Sequence, residues 1–377
     1  MDILESARRY EDDLRAELGP EVVEEGLTEK RRKMGGDDPF PFLRATYWRW
    51  AETVLEVAPD LASAPAVLAV GDIHLENFGT WRDADGRLVW GVNDHDDVAV
   101  MPYALDLLRL ATSGLLAGGG RGAAAIARDL LDGYAAGLDR PGPAVLDRDR
   151  PELRGIVMVP EEHRAEFWEG LRSKRKAFEA RPARARPGLP PRYEAALRAS
   201  LPAGAGAPRL WYRSAGLGSL GRSRWVAEAE WAGDRVIREA KGVVPSAWGR
   251  VHGGGRALRC MEVATGRFRA PDPWYRVTDG IAVRRLSPNN RKIGADKLFL
   301  PPAKKGAKGP LGRDILLGTP MLRAMGAELA AIHLGSAGAE DAIRRHLKDQ
   351  RGNWLARMAA AAAAMVGEEH RRFREAR

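Results

Sequence analysis

Through the first 58 positions apolar residues recur at three- and four-residue steps, among them Leu43, Tyr47, Trp50 and Leu55, and that period predicts helices. The run from Lys33 through Gly35-Gly36-Asp37-Asp38-Pro39 to Phe42 interrupts it and is expected to be a loop. Two apolar runs of strand length follow, residues 67–70 and 88–92, with a hairpin turn expected at Asp83-Ala84-Asp85-Gly86. Helical periodicity resumes over 103–138, broken at Gly118-Gly119-Gly120, and again over 161–179.

Between 181 and 208 proline, alanine, glycine and arginine dominate, apart from a short helical piece at 193–201, so this stretch is predicted to be a linker. Beyond it the period shortens to two. Residues 210–213, 223–231 and 235–241 read as three consecutive antiparallel strands, then a helix near 255–265 and a strand over 275–286. A flexible-looking connection over 301–312 leads to closing helices at 320–334 and 340–371. The expected fold class is α+β: a small antiparallel-sheet lobe at 206–312, set between helical segments at 1–205 and 313–377.

With 377 residues the chain is long enough for two lobes, each burying a core. Its one cysteine, Cys260, excludes an intrachain disulfide and a cysteine-based zinc site, and points to a reducing compartment. The amino terminus lacks the basic-then-apolar pattern of a secretory signal, and no apolar run reaches membrane-spanning length, so a cytoplasmic protein without a membrane span is expected. The net charge of +9 admits an anionic partner. The basic clusters at 31–33, 172–176 and 304–308 lack interleaved aromatic residues, however, and read as solvated faces. Nucleic acid is therefore not an expected partner, whereas an anionic substrate stays in play.

Candidate chemistry is concentrated in two loops. Gly71-Asp72-Ile73-His74-Leu75-Glu76-Asn77 follows the first strand-like run, and Asn93-Asp94-His95-Asp96-Asp97 follows the second. Such residues also make ordinary turns. An aspartate five residues ahead of an asparagine, then an acid after a strand, also suits phosphoryl transfer from a magnesium nucleotide. One carboxylate orients a nucleophile, while an amide oxygen and a second carboxylate hold a hard cation. Asp72, Asn77 and Asp94 fit those roles in that order. Asp96 and Asp97 are expected to bind a second metal or to cap the following turn, and His74 and Glu76 to line the acceptor side.

A second constellation lies in the sheet region. Gly216-Leu217-Gly218-Ser219-Leu220-Gly221 stands between two strands, where glycines alone make tight hairpins. A strand rather than a helix follows the third glycine, which excludes the dinucleotide-binding form of the motif and leaves the form whose backbone amides approach phosphates. That form calls for a lysine on a neighbouring strand, and Lys241 ends the next one; Glu262, on the helix after it, is the expected partner of that lysine.

These parts resemble the protein-kinase-like superfamily, especially its aminoglycoside phosphotransferase branch, whose catalytic loop has the form H-G-D-x-x-x-x-N; this chain has Val70 in place of the histidine. The chain as a whole resembles the bacterial domain of unknown function 2252 family. The phrases that carry this are Lys33-Met34 with Pro39-Phe40, Gly71-Asp72-x-His74-Leu75-x-Asn77-Phe78-Gly79, Asn93-Asp94-x-Asp96, and Gly216-x-Gly218-Ser219-x-Gly221 with Lys241. Relatives typically read N-D-F-D-E where this chain has His95 and Asp97. Kinases run from glycine loop to catalytic loop, and here the order is reversed. Residues 325–333 resemble the helix that precedes the catalytic loop in phosphotransferases. The resemblance therefore implies a circularly permuted, two-lobed, protein-kinase-like fold in which 313–377 completes the helical lobe.

The implied activity is an ATP-dependent phosphotransferase using Mg2+ or Mn2+ and acting on a hydroxyl-bearing small molecule or protein. The glycine loop (Gly216, Gly218, Ser219, Gly221) and Lys241 would hold the nucleotide, Asn77, Asp94 and Asp96 the metal, and Asp72, Lys241 and Glu262 would serve catalysis. Three alternatives stay open: nucleotidyl (AMP) transfer on the same fold, a nucleotide-binding regulator without turnover, and metal-dependent phosphodiester hydrolysis. Neither the acceptor nor the oligomeric state is legible in the sequence.

Overall fold

Two antiparallel ladders set the acidic loops side by side. The computed structural model describes residues 1–147, 150–157, 161–292, 294 and 311–376. The chain opens with helices α1 (Ile3–Leu18), α2 (Glu24–Met34), α3 (Pro39–Ala45) and α4 (Tyr47–Val57), and continues through strands β1 (Ala66–Ala69), β2 (Phe78–Arg82), β3 (Leu88–Val92) and β4 (Ala99–Pro102). β1 pairs with β4 and β2 with β3 in the registers Ala69↔Ala99 and Phe78↔Val92, so the β1–β2 loop with Asp72 and Asn77 must lie beside the β3–β4 loop with Asp94 to Asp97. The expected loop at 33–42 is shorter than its composition suggests. Asp38 accepts from the Phe40 amide at 2.9 Å and caps α3, whose first position is Pro39, where a missing N–H costs nothing.

Beneath these loops runs α5 (Ala104–Leu116), whose residues Ala104 to Gly114 are all buried. It is followed by α6 (Ala123–Asp139), β5 (Ala144–Val145), α7 (Pro151–Val157), α8 (Glu161–Glu179) and α9 (Pro191–Ala199). β5 extends the β2–β3 pair. The short helical piece expected at 193–201 is α9, and its Tyr193 and Leu197 are fully buried against the sheet that follows.

That sheet comprises β6 (Arg209–Tyr212), β7 (Arg224–Trp231), β8 (Asp234–Gly242), β9 (Arg276–Thr278) and β10 (Ile281–Arg285), in the spatial order β6-β7-β8-β10-β9. The single strand expected over 275–286 is a hairpin, broken at Asp279-Gly280, both with positive φ. The helix expected near 255–265 shrinks to α11 (Cys260–Ala264), after an unforeseen α10 (Ala247–His252). One sheet face carries Tyr212, Trp225, Ala227, Ala240 and Val283 against α9. The other carries Trp211, Val226 and Ile237 against Leu171 of α8.

The chain closes with α12 (Leu311–Leu316), α13 (Thr319–His333), α14 (Ala339–Asp349) and α15 (Trp354–Glu375). The helix expected over 340–371 is two, separated at Gly352 with φ +58°. Among the described residues the largest core joins helices from both ends of the chain, because α13 and α15 pack on α5 and α6. The architecture is mixed α+β with small antiparallel sheets. Most of the expected connection at 301–312, and the basic cluster at 304–308, lie outside the described residues.

Candidate functional site

The β1–β2 loop is held from below by buried charge. Asp106, fully buried on α5, accepts from the amides of Val70 at 2.7 Å and Gly71 at 3.0 Å, and from His333 Nε2 at 3.1 Å. His333 in turn meets the Tyr134 hydroxyl at 2.9 Å. Gly71 has φ +76°, and a Cβ there would come within 2.6 Å of the Tyr47 hydroxyl, so only glycine passes the chain through this corner.

Asp72 follows at once. Arg109, also fully buried on α5, donates through Nη2 to Asp72 Oδ1 at 2.6 Å and to the Leu43 carbonyl at 2.9 Å, with its guanidinium over the rings of Tyr47 and Trp50. Burial pushes the Asp72 carboxyl up to about 6, and Arg109 restrains that rise. Asp72 is thus a carboxylate at neutral pH with a proton affinity near that of a working general base.

Asn77 stitches the two loops together, its Nδ2 donating to the carbonyls of Asp72 at 3.0 Å and Asp94 at 3.3 Å. Its Oδ1 is buried and has no hydrogen-bond partner. Such an orphan acceptor is costly unless something electropositive meets it. Among the described residues no group of three or more His, Cys, Asp or Glu side chains is assembled as a metal cage. Asn77 Oδ1 and the Asp94 carboxylate, which line one cleft, are hard oxygen donors of the type Mg2+ takes, so the chemistry of these residues fits that ion.

The glycine loop closes over this floor. It is the β6–β7 turn, and Gly218 sits so near the acids that a Cβ on it would lie 3.3 Å from Asp72 Oδ2 and from the Arg44 carbonyl. Three contacts fasten the loop to α2. Lys30 Nζ donates to the Gly218 carbonyl at 2.8 Å, the Val23 amide donates to the Gly221 carbonyl at 2.8 Å, and Gly26 lies directly against the Gly221 backbone. The cleft between loop and floor is lined by Asp72, His74, Asn77, Asp94, Gly218 and Lys292, among others, and encloses about 30 Å3.

Lys241 reaches in from β8, its Nζ 3.1 Å from Asp94 Oδ1 and 2.6 Å from Asp96 Oδ1. Burial opposes ionisation of Asp94, but Lys241 and Lys292 together hold its carboxyl well below the usual range. Asp96 also meets Arg222 at 3.2 Å, so each of its oxygens faces a cation, as do both oxygens of Asp94, which Lys241 and Lys292 approach. Asp97 accepts from the Ala247 amide at 3.1 Å and caps α10. The expectation for Glu262 is corrected: its side chain is about half exposed and pairs with Arg259 at 3.0 Å. It stands on the short helix α11, so the lysine's acidic partners come from the β3–β4 loop.

His74 is buried, and its Nδ1 accepts from the Glu76 amide at 3.1 Å; burial, then Arg44, drives its pKa well below the ordinary value. Glu76 pairs with Arg44 at 2.5 Å. Sequence reasoning passed over Arg109, Arg222, Arg44 and Lys292. Arg109 was detectable, since Asp106 and Arg109 are three residues apart in an otherwise apolar helix, which implies buried, partnered charges. Lys292 had no such signal: it reaches the cleft because Gly79 bridges to it and Thr80 bonds the Arg291 carbonyl at 2.8 Å.

Residues 22–143 are similar to a family described as an uncharacterized protein conserved in bacteria, DUF2252. The matched span holds both acidic loops and ends before the glycine loop. Comparisons with curated proteins and with solved structures gave no match. No described helix is long and apolar enough to cross a membrane.

Proposed function

We propose that this chain is a phosphotransferase that takes ATP with Mg2+ or Mn2+, on a protein-kinase-like fold in circularly permuted order. Residues 206–312 make the nucleotide-binding lobe, and 1–205 with 313–377 the helical lobe. One observation carries the reading. The glycine loop and the lysine two strands later meet Asp72, Asn77 and Asp94 at a single cleft, with Lys241 3.1 Å from Asp94 across a sequence separation of 147. A glycine turn between the first two strands of a small sheet, with a lysine on the third, is the phosphate-covering arrangement of kinases.

In this reading the loop amides and Lys241 hold the phosphates, and Asn77 Oδ1 and Asp94 hold the divalent cation, which when bound neutralises charge developing on the transferred group. Arg109 keeps the Asp72 carboxylate oriented, and Asp106 fixes the backbone that carries it. Asp72 takes the proton of the acceptor hydroxyl as its oxygen bonds to phosphorus and ADP departs. With about 30 Å3 enclosed, the cleft admits a nucleotide only after the glycine loop lifts off Asp72. The acceptor's identity is not part of the proposal.

Incubation with ATP labelled separately on the α and γ phosphates, with Mg2+ or Mn2+, tests the reading. Movement of γ label supports phosphoryl transfer, and movement of α label to an acceptor assigns AMP transfer instead. Asp72→Asn is expected to lower transfer by at least about a hundredfold while nucleotide still binds, in line with the usual worth of a general base. Transfer that survives both Asp72→Asn and Asp94→Asn would refute the assignment.

A further inference from the structure

We propose that the sheet face behind Lys241 is a polyphosphate-binding track, built from Arg213, Arg224 and Arg284 and joined to the glycine loop through Ser219. It deepens the nucleotide reading of the cleft, in that its ligand is a run of linked phosphates, carried by a nucleoside triphosphate or free as polyphosphate.

Strand parity puts these groups on one face. Glu239 and Lys241 are two apart on β8, Arg224 is the register partner of Lys241, and Arg284 that of Glu239. Glu239 is buried at the centre. Its Oε1 meets Arg224 Nη1 at 2.6 Å and Arg284 Nη2 at 2.7 Å, and its Oε2 pairs with Arg213. Arg224 Nη2 donates onward to Ser219 Oγ at 2.7 Å, which links the cluster to the loop.

The charges do not balance. Three guanidinium groups share one carboxylate, and Asp94 and Asp96 are already engaged by Lys241, Lys292 and Arg222. Asp97 also faces Arg222, so these six cations share four carboxylates, an excess of two positive charges around an Arg224 that is only 5% exposed. A cluster that served packing alone would be neutral, because unbalanced buried charge is expensive. Arg213 Nε is buried without an acceptor, while the Arg284 side chain is 34% exposed and reachable. Planar guanidinium forks suit phosphate oxygens. The apolar part of this face offers no slot for a base, since Trp168 and Leu171 of α8 already cover Trp211, Val226 and Ile237. Recognition here is of charge and phosphate geometry.

Titration calorimetry of the full chain with magnesium tripolyphosphate, ATP and adenosine tests the track. Tripolyphosphate is expected to bind and to displace ATP, and adenosine to do neither. Arg284→Gln, at a partly exposed position, leaves Glu239 paired with Arg213 and Arg224 and is expected to weaken tripolyphosphate at least about tenfold, the cost of losing one charge-assisted phosphate contact, with cooperative thermal unfolding retained. Arg213→Gln provides a second variant. ATP binding much more tightly than tripolyphosphate makes the natural ligand a nucleoside triphosphate, and equal or weaker ATP binding makes it free polyphosphate. Absence of tripolyphosphate binding, or binding indifferent to both variants, overturns the track. If ATP still binds and its γ label moves, the phosphotransferase reading survives that failure. Arginine-dependent tripolyphosphate binding with no label transfer would sustain the track and overturn the phosphotransferase reading.

Discussion

Replacing Arg109 with methionine removes the cation beside Asp72 while roughly keeping side-chain length. Asp72 titrates near 6 in the folded chain against an ordinary 3.8, because it is buried. Between those values the folded state holds a proton that the unfolded state has lost. Stability from this group is therefore greatest at low pH and falls by about 3 kcal/mol as pH rises through 6. Without Arg109 the carboxyl must stay protonated at still higher pH or remain as a buried charge without its cation. At pH 5 Asp72 is mostly neutral in either protein, and the variant loses only the packing and ring contacts of the guanidinium. At pH 8 it must also hold a proton two units above pH 6, a further cost of up to about 3 kcal/mol. Urea unfolding followed by tryptophan fluorescence at both pH values, with Trp48 and Trp50 close by, is expected to show a loss about 2 to 3 kcal/mol larger at pH 8. An equal loss at the two pH values would refute the charge pairing and leave Arg109 as mere filling.

Glu328→Ala strands Arg269, whose pKa burial has already lowered to about 9, and should cost about 3 to 5 kcal/mol in urea unfolding, as expected when one member of a buried pair is lost. Gly26→Ala would put a methyl 2.6 Å from the Gly221 amide nitrogen; a loss of about 1 to 3 kcal/mol is expected, with faster amide hydrogen exchange across 216–221. Lys30→Met removes the bond to the Gly218 carbonyl and should speed exchange in the same loop, whereas unchanged exchange would show that Val23 and Gly26 suffice to anchor it. Glu262→Ala should change stability by less than about 0.5 kcal/mol and leave γ-label transfer intact, and a large loss would restore it as the partner of Lys241.

The local elements were largely legible in the residues. Period-3.6 patterns gave the helical character of the first 58 positions, though not its division into four helices, and α5, α6, α8 and α13, and period-two patterns gave β6 to β8, because each depends on burying one face of a local repeat. The acids of the two loops and the glycine turn were legible for the same reason, as polar or glycine breaks at strand ends. Boundaries failed where a neighbour decided them. Asp97 caps α10 from 150 residues away, and the strand expected over 275–286 breaks into a hairpin at Asp279-Gly280. The tertiary structure alone decided who pairs with whom. Glu262 was the nearest acid on the following helix, yet Lys241 pairs with Asp94 and Asp96, because sheet register aims its side chain across the cleft and the short α11 leaves Glu262 in solvent. Charge balance is likewise a property of the folded face: three arginines scattered over about seventy residues became one cluster only when β6, β7, β8 and β10 paired. Periodicity records which side chains leave water, but the partners they meet there depend on chain crossings that no local pattern encodes.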